Sequence, residues 1–384
     1  MGFTEEWEIT TVADECIINP KTNPLDSEFV YIDLESVVKG ELTKEVVISK
    51  SEAPSRAQRV LDDYDILFQC VRPYQMNNYI FRTSDDRQWV ASTGYAQIRT
   101  NNNPLFVYHL LNTPKFNREV MVRCTGTSYP AISSDDLSEI AISICSSEEQ
   151  NKIASFLSLI DERIATQIKI IDKLESLIKA LNNNLKETYG NEIEISLQQL
   201  GTSYSGLSGK SAEDFGDGKP FVTYMNVYKN IVIDENMVDY VNIDKDESQN
   251  KIQYGDALFT VSSEAAQEIG MSAVYLGNNK ELYLNSFCFG FRPTNFETLH
   301  PEYLPYLFSN KQFRKFILPF AQGSTRFNLL KTDLLNKKFK IPTIVNQRRI
   351  SNILNALSKK LEIEQDILSG YVQQKMHLLQ QMFI

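Results

Sequence analysis

The sequence predicts a mixed α+β (α/β) chain in which two irregular globules alternate with two long helices, and three observations carry that expectation. The chain repeats itself: Gln150-Asn151-Lys152-Ile153-Ala154-Ser155-Phe156-Leu157 lies over Gln347-Arg348-Arg349-Ile350-Ser351-Asn352-Ile353-Leu354, an offset of 197 residues. The same offset aligns Gly126-Thr127-Ser128 with Gly323-Ser324-Thr325, and upstream it loosens to 191–194, where Asp65-Ile66-Leu67-Phe68 faces Asp256-Ala257-Leu258-Phe259. A period this long means a duplicated domain pair and not a solenoid. Apolar heptads follow both copies of the repeated segment, and the β-type runs of the globules show no regular βαβ alternation.

In chain order, residues 1–147 form the first globule. Phe29 to Ile32, Asp65 to Phe68 and Trp89 to Ala91 read as strands, and Pro104 to Leu111 as a helix. Residues 148–189 form the first long helix, with a seam of Ile153, Leu157, Ile160, Ile164, Ile171, Leu174, Ile178, Leu181 and Leu185, interrupted at Gln167. The second globule, 190–345, has strand-like runs at Phe221 to Tyr224, Ala257 to Thr260 and Phe287 to Phe291, and a helix expected over Pro301 to Phe316. The second long helix, 346–384, carries Ile350, Leu354, Leu357, Leu361, Leu368, Tyr371, Leu378 and Met382, interrupted at Glu364 and Lys375. Sustained heptads mean coiled coil. Chain order makes the economical arrangement an antiparallel pair, about 60 Å long, with a globule at each end and a pseudo-twofold axis through the middle. Gln167 and Glu364 occupy equivalent positions near the two helix midpoints, so the expected pairing brings them together as a register-fixing polar contact.

No N-terminal apolar segment and no long apolar run are present, so the expectation is a soluble, cytoplasmic chain with no membrane span. The five cysteines are odd in number and scattered, and the three histidines are far apart, which gives no metal-site spacing. The net charge of −10 runs against the basic total expected of a nucleic-acid binder. Phosphates, however, are met by local patches within a Debye length of about 8–10 Å. Basic residues do gather, at Arg56/Arg59 and Arg326/Lys331 among other places. Motifs for catalysis are missing. Gly206-Leu207-Ser208-Gly209-Lys210-Ser211 fails as a phosphate loop because Tyr204 stands where glycine is required. Asn103-Pro104-Leu105-Phe106 resembles the N-P-P-F of amino-methyltransferases, with the wrong third residue and no S-adenosylmethionine loop beside it.

Several segments together carry a family resemblance. Pro54 to Leu61, Asp65 to Phe68, Val71-Arg72-Pro73-Tyr74, Ser92-Thr93-Gly94-Tyr95 and Gly126 to Ile132 resemble the first target-recognition domain of type I restriction-modification specificity (S) subunits. Tyr204 to Ser211, Tyr224-Met225-Asn226-Val227 and Tyr254 to Thr260 resemble the second, and Glu149 to Ile164 is similar to the family's spacer helix. The resemblance covers essentially the whole chain. One departure is Asp63-Tyr64-Asp65, where Gly-Asp is usual, so that a turn glycine has become Tyr64. The resemblance implies a non-catalytic bacterial subunit that binds double-stranded DNA and reads a bipartite, asymmetric site. Two methyltransferase (M) subunits would assemble on the helices and motor-nuclease (R) subunits would join them. S-adenosylmethionine would sit on the methyltransferase partner, with no cofactor or metal held by this chain.

Base readout in the major groove requires Arg or Lys for guanine and Asn or Gln for adenine. In the first globule the candidates are Arg56, Gln58, Arg59, Arg72, Arg99, Thr127, Ser128 and Tyr129. In the second they are Ser205, Lys210, Tyr224, Asn226, Ser262, Ser263, Ser324, Arg326 and Asn328. The competing expectation is a scaffold whose coiled coil spaces two protein-binding domains without DNA, a reading that suits the acidic total and sits poorly with the basic loops.

Overall fold

The computed structural model describes residues 7–83, 85–189, 192–244 and 246–383. Its contacts divide the chain into two units, Met1–Ile170 with Glu364–Ile384 and Ile171–Ile363. Gly190 and Asn191, where the second globule is expected to begin, lie outside the described residues.

Unit 1 holds two four-stranded sheets. In one the order is Val46–Ser49, Glu28–Ile32, Trp89–Ser92, Ala57–Val60, with a parallel pairing in the centre and antiparallel pairings outside it. In the other, Cys16–Ile18, Tyr95–Thr100, Ile66–Gln69 and Tyr79–Ile80 are all antiparallel. Every residue of Trp89–Ser92 and Ile66–Gln69 is buried, which explains the apolar run that opens each strand: both faces are covered. Two helices, Pro104–Leu111 and Pro114–Arg123, begin with proline behind an Asn103 and a Thr113 cap. Asn103 Oδ1 accepts from the N–H groups of Leu105 and Phe106, so the Asn103-Pro104 motif is a helix start.

Unit 2 repeats the plan with changes. Gly201–Ser205, Cys288–Pro293, Ala257–Thr260 and Ser272–Val274 form an antiparallel sheet, and Val238–Val241, Phe215–Val222 and Tyr283–Leu284 form a three-stranded one in which Phe215–Val222 and Tyr283–Leu284 keep the parallel pairing. The fourth strand of unit 1, Ala57–Val60, has no counterpart strand in that three-stranded sheet. Its edge is met instead by Leu207, whose N–H donates to the carbonyl of Leu284 at 2.8 Å. Two sequence expectations need correction here. Phe221 to Tyr224 is strand only to Val222, because Thr223 caps the helix Tyr224–Lys229 by accepting from the Asn226 N–H. The helix over Pro301 to Phe316 is broken: after Leu304–Ser309, Asn310 turns extended and caps a new helix, Lys311–Ile317.

The long helices run over Ser147–Tyr189 and Ile344–Met382. In unit 1, Ile153, Leu157 and Ile160 share a core with Leu379 and Phe383, Asp161 pairs with Lys375, and Gln167 meets Glu364. Ascending numbers on one segment meet descending numbers on the other, so these segments are antiparallel. In unit 2 the same direction holds, with Ile178, Leu181, Leu185 and Tyr189 packed on the core that contains Ile350 and Leu354, and Asn346 Nδ2 donating to the Tyr189 carbonyl. The heptad residues are the covered ones because a 3.5-residue repeat keeps them facing the partner. No helix among the described residues is long and apolar enough to cross a membrane.

The repeated Gln150 and Gln347 tie each globule to its helix. Both are fully buried, and both accept from a globule N–H, that of Asn103 at 3.0 Å and of His300 at 2.9 Å. Each then donates to the carbonyl five residues before it, Cys145 or Pro342, and once more into the globule, to Asn102 Oδ1 or the Thr298 carbonyl.

Candidate functional site

A buried aspartate organises each unit and engages one of the candidate arginines. Asp65 Oδ2 accepts from the Asp62 N–H at 2.7 Å, closing a turn, and its carboxylate receives Arg99 through Nε and Nη2, both at 2.8 Å. Asp62 adds a second ion pair to Arg99 at 2.7 Å. Asp256 does the same in unit 2, capping Gln253 at 2.8 Å and receiving Arg292 at 2.9 and 2.7 Å. A buried carboxylate needs such a fork to offset its desolvation. Arg99, a base-reading candidate from the sequence, therefore has its guanidinium engaged within the fold. Gln97 Nε2 supplies a further donor to Asp65 at 2.6 Å. Its equivalent is Gly290, and the ring of Tyr204 fills the vacated space and donates its hydroxyl to Asp256 at 2.6 Å.

Tyr64 stands in the turn before Asp65 with φ +67, in the left-handed region, where Gly255 of unit 2 has φ +85. The turn survives the substitution because its backbone bonds persist: Tyr64 N–H to Phe81 O and Phe81 N–H to Asp65 O, against Gly255 N–H to Tyr275 O and Tyr275 N–H to Asp256 O.

Two loops occupy equivalent places. In unit 1 the segment from Thr125 to Ala131 is closed by paired backbone bonds between its ends, with Gly126 at φ +89. It is anchored by Ile132 N–H to Cys70 O and Arg72 N–H to Pro130 O, while Cys70 N–H reaches Gly94 O. In unit 2 the hairpin of Ala321–Gln322 and Phe327–Leu329 is anchored by Leu329 N–H to Val261 O and by the Ser263 to Phe327 pairing, while Val261 N–H reaches Phe287 O. These anchors keep the offsets of 197 and 191–193 seen in the sequence.

Around the first loop the structure gathers Arg56, Arg59, Arg72, Thr127, Ser128 and Tyr129. Thr93 N–H donates to the Arg56 carbonyl next to Gly94, which places Arg56 beside Cys70 and the loop. Its exposed guanidinium has no partner among the described residues. Arg59 lies near Cys70 with its Nε buried and unpartnered among the described residues, and burial lowers its pKa. Thr127, Ser128 and Tyr129 are exposed, and Arg72 stacks on the Tyr129 ring at 4.4 Å. Gln58 turns its amide to the Ser55 carbonyl at 2.6 Å, a local contact on an exposed edge.

Around the second loop lie Tyr224, Ser262, Ser263, Ser324, Arg326 and Asn328. Arg326 Nη2 donates to Ser262 Oγ at 3.1 Å, and the Tyr224 hydroxyl donates to the Ser262 carbonyl at 2.9 Å. Ser263 pairs with Glu268 at 3.3 Å and is itself buried; Ser324 and Asn328 are exposed. Three candidates fall elsewhere. Asn226 is fully buried and spends its amide on the carbonyls of Asp234 and Met237 and on the Asp234 N–H, so it holds a turn. Lys210 is paired with Glu247, whose carboxylate raises its pKa and removes its free charge. Ser205 ends its strand exposed, with its carbonyl accepting from Asn250 at 3.1 Å.

Gln167 and Glu364 come together: Gln167 Nε2 donates to the Glu364 carbonyl at 2.9 Å and to its carboxylate. Sequence reading overlooked Tyr228, stacked on Tyr224 at 5.9 Å, and Lys331, named there only as part of a basic cluster, lies over the Phe289 ring at 4.9 Å. The four-residue spacing of the two tyrosines on a short helix was the available signal for the first. Among the described residues no cluster of His, Cys, Asp or Glu is placed to hold a metal ion, and burial pushes the Cys16 and Cys70 thiols up to about 11.

Residues 5–187 and 197–370 each match the family model of the type I restriction modification DNA specificity domain. The specificity subunit of the type I restriction enzyme HindI from Haemophilus influenzae is 27% identical over 158 residues, 40% of this chain and 34% of that subunit, so the match spans about a third of the relative's length. Among solved structures, a chain from work on complex assembly and conformational transition of the type I R-M system aligns over 99% of both chains, with a TM-score of 0.62 and 20% identity. The S subunit of a type I restriction-modification system from M. genitalium aligns over 100% of this chain and 98% of its own, with a TM-score of 0.55 and 16% identity. At these identities the structural likeness establishes the shared fold.

Proposed function

The chain belongs to the family of type I restriction-modification DNA specificity domains, and from that premise we propose that it is the DNA-reading subunit of such a system. It reads a bipartite, asymmetric site, unit 1 taking one half and unit 2 the other. The observation that carries this reading is the pair of loops, 125–131 and 322–328, held at equivalent places by equivalent backbone bonds yet bearing different polar side chains. One skeleton used twice with two chemistries is what an asymmetric two-part sequence requires. Arg56, Arg72 and Arg326 supply cations beside the loops, and phosphate contacts are local, so the acidic total is no obstacle.

In this proposal the chain does no chemistry. Methyl transfer belongs to two methyltransferase subunits that carry S-adenosylmethionine and dock on the long helices, and cleavage to motor-nuclease subunits that join them. The exposed apolar residues Phe156, Leu159 and Ile170 on one helix and Ile367, Val372 and Met376 on the other support such docking, since each lies off the heptad seam.

The test is to map methylated bases in a host carrying this chain with its methyltransferase partner. A bipartite motif that disappears when the chain is deleted is expected, with Arg56→Ala altering one half of it and Arg326→Ala the other. Methyl transfer by the purified chain alone, or an unchanged methylation pattern on deletion, would overturn the proposal.

A further inference from the structure

The arginines of unit 1 are not equally free. Arg99 is forked onto Asp65, and Arg87 is paired with Asp85 at 2.5 Å and with Glu45 at 3.2 Å. Arg72 differs from both. Its guanidinium lies 4.4 Å above the Tyr129 ring and has no hydrogen-bond or ion-pair partner among the described residues. Stacking on a ring uses the face of the guanidinium and leaves its N–H edge unspent.

The backbone that carries it is held in place. Arg72 sits at φ +54, a left-handed conformation that an arginine adopts only when its surroundings impose it. The imposition is visible: its N–H is held by Pro130 O at 2.8 Å, its carbonyl accepts from the Gln75 N–H at 3.0 Å, and Pro73 follows it. Tyr129 in turn stands on the loop closed by Thr125 and Ala131, with 64% of its surface exposed. A half-buried arginine thus lies over an exposed ring with its fork unpaired among the described residues. Its chemical complement is a pair of coplanar acceptors, and in the major groove the base edge that offers two acceptors side by side is guanine, through O6 and N7.

Resting on the DNA-reading proposal, we infer that Arg72 reads a guanine in the half-site of unit 1 and that Tyr129 is the positioning residue that holds its guanidinium in plane. In unit 2 the residue at the Tyr129 position is Arg326, which is tethered to Ser262 Oγ, so the second half-site is not read by the same device.

The experiment uses the full chain in complex with its methyltransferase partner, on duplex oligonucleotides that each change one base pair of the mapped site. Arg72→Lys keeps charge and backbone but removes the fork. It is expected to lose roughly 5- to 150-fold of the discrimination at one G·C pair, in the half-site that Arg326→Ala leaves intact. Tyr129→Ala should lose a smaller factor at that same pair, and Tyr129→Phe, which keeps the ring, should lose none. A uniform drop across all oligonucleotides with Arg72→Lys would identify a phosphate contact and overturn the inference. So would an effect in the other half-site, or Tyr129→Ala acting at a different base pair. The exposed Tyr129 can be replaced without disturbing the core, so that arm decides the matter even where an Arg72 variant fails to fold. A wild-type complex with no sequence preference at all would remove the DNA-reading proposal itself, and the inference with it.

Discussion

Unit 1 and unit 2 place the same backbone bonds around the same turn and loop, and then part company in the side chains that surround them. In unit 1, Gln97 completes the Asp65 network; in unit 2 a glycine stands there and Tyr204 completes the Asp256 network from another strand. In unit 1 the loop presents a tyrosine under an arginine; in unit 2 it presents an arginine tethered to a serine. Below the long helix the contrast is sharper. Tyr306 of unit 2 hydrogen-bonds Asn355 at 2.7 Å and Ser358 at 3.3 Å. The equivalent His109 is buried with neither ring nitrogen partnered among the described residues, the equivalent Ser158 hydroxyl is likewise buried and unpartnered, and Asp161 stands 3.9 Å away, paired with Lys375. Backbone geometry was retained through duplication because it is over-determined by many bonds at once. Single side chains differ between the units, with a compensating neighbour at Tyr204 and without one at His109 and Ser158.

The largest effect that could break this comparison lies at the buried carboxylates. Asp65→Ala and Asp256→Ala each take the buried carboxylate from an arginine and a turn N–H, leaving Arg99 with Asp62 and Arg292 with the Lys251 carbonyl, and each is expected to cost about 3 kcal/mol. Denaturant unfolding should show similar losses for the two, because the networks are equivalent. A loss confined to one would mean that only one of them supports its unit.

Gln150→Leu and Gln347→Leu come next, at about 2 kcal/mol each, since each strands a buried N–H and buried carbonyls. Hydrogen exchange at the Asn103 and His300 amides should rise in the matching variant alone. Protection unchanged at both would show that the helices are held to the globules by apolar packing and not by these amides.

Acid should separate the units. Burial, and then the charge of Lys375, depress the His109 pKa to about 3, well below its ordinary 6.5. The unfolded chain therefore takes up the proton first. The stability of unit 1 is fully present above pH 6.5 and declines as the pH falls from there towards 3, by at most about 1.4 kcal/mol per unit. Asp161, Lys375 and Tyr108 are the titratable groups facing it. His109→Tyr combined with Ser158→Asn installs the arrangement of unit 2 and should flatten the decline between pH 6 and 4. His300 of unit 2 is also lowered by burial, but it is only partly buried and contributes less. An unaltered pH profile in the double variant would rule out His109 as the source.

The smallest effect sits in the turn. Tyr64→Gly relieves a left-handed tyrosine but gives up its stack with Arg82, at 5.4 Å, so a gain of no more than about 1 kcal/mol is expected. Thermal melting of the variant checks the sign, and a loss would mean that the stack outweighs the strain.

Much of the architecture was legible because its signals are local or repeated. The heptads named the residues that the helices cover, including the polar pair Gln167 and Glu364, since every step of 3.5 residues returns to the same face. The helix expected from Pro104 starts there, behind its Asn103 cap, while the one that Thr113 caps went unread. The break at Asn310 and the cap at Thr223 were also local, and were missed because apolar runs on either side masked them.

The sequence by itself determined the duplication, the two long helices, the mixed character of the globules and the membership of Gln150 and Gln347 in one repeated element. It could not rank its own arginines. Arg72 and Arg99 are the same residue type, yet the Arg99 guanidinium meets Asp65, 34 residues away, and that of Arg72, among the described residues, meets a ring on a distant loop. Lys210 is likewise spent on Glu247, 37 residues on. Periodicity and capping are fixed by neighbours along the chain. Whether a charge is free to meet a ligand is fixed by partners that only folding brings within reach, and that decision belonged to the tertiary structure.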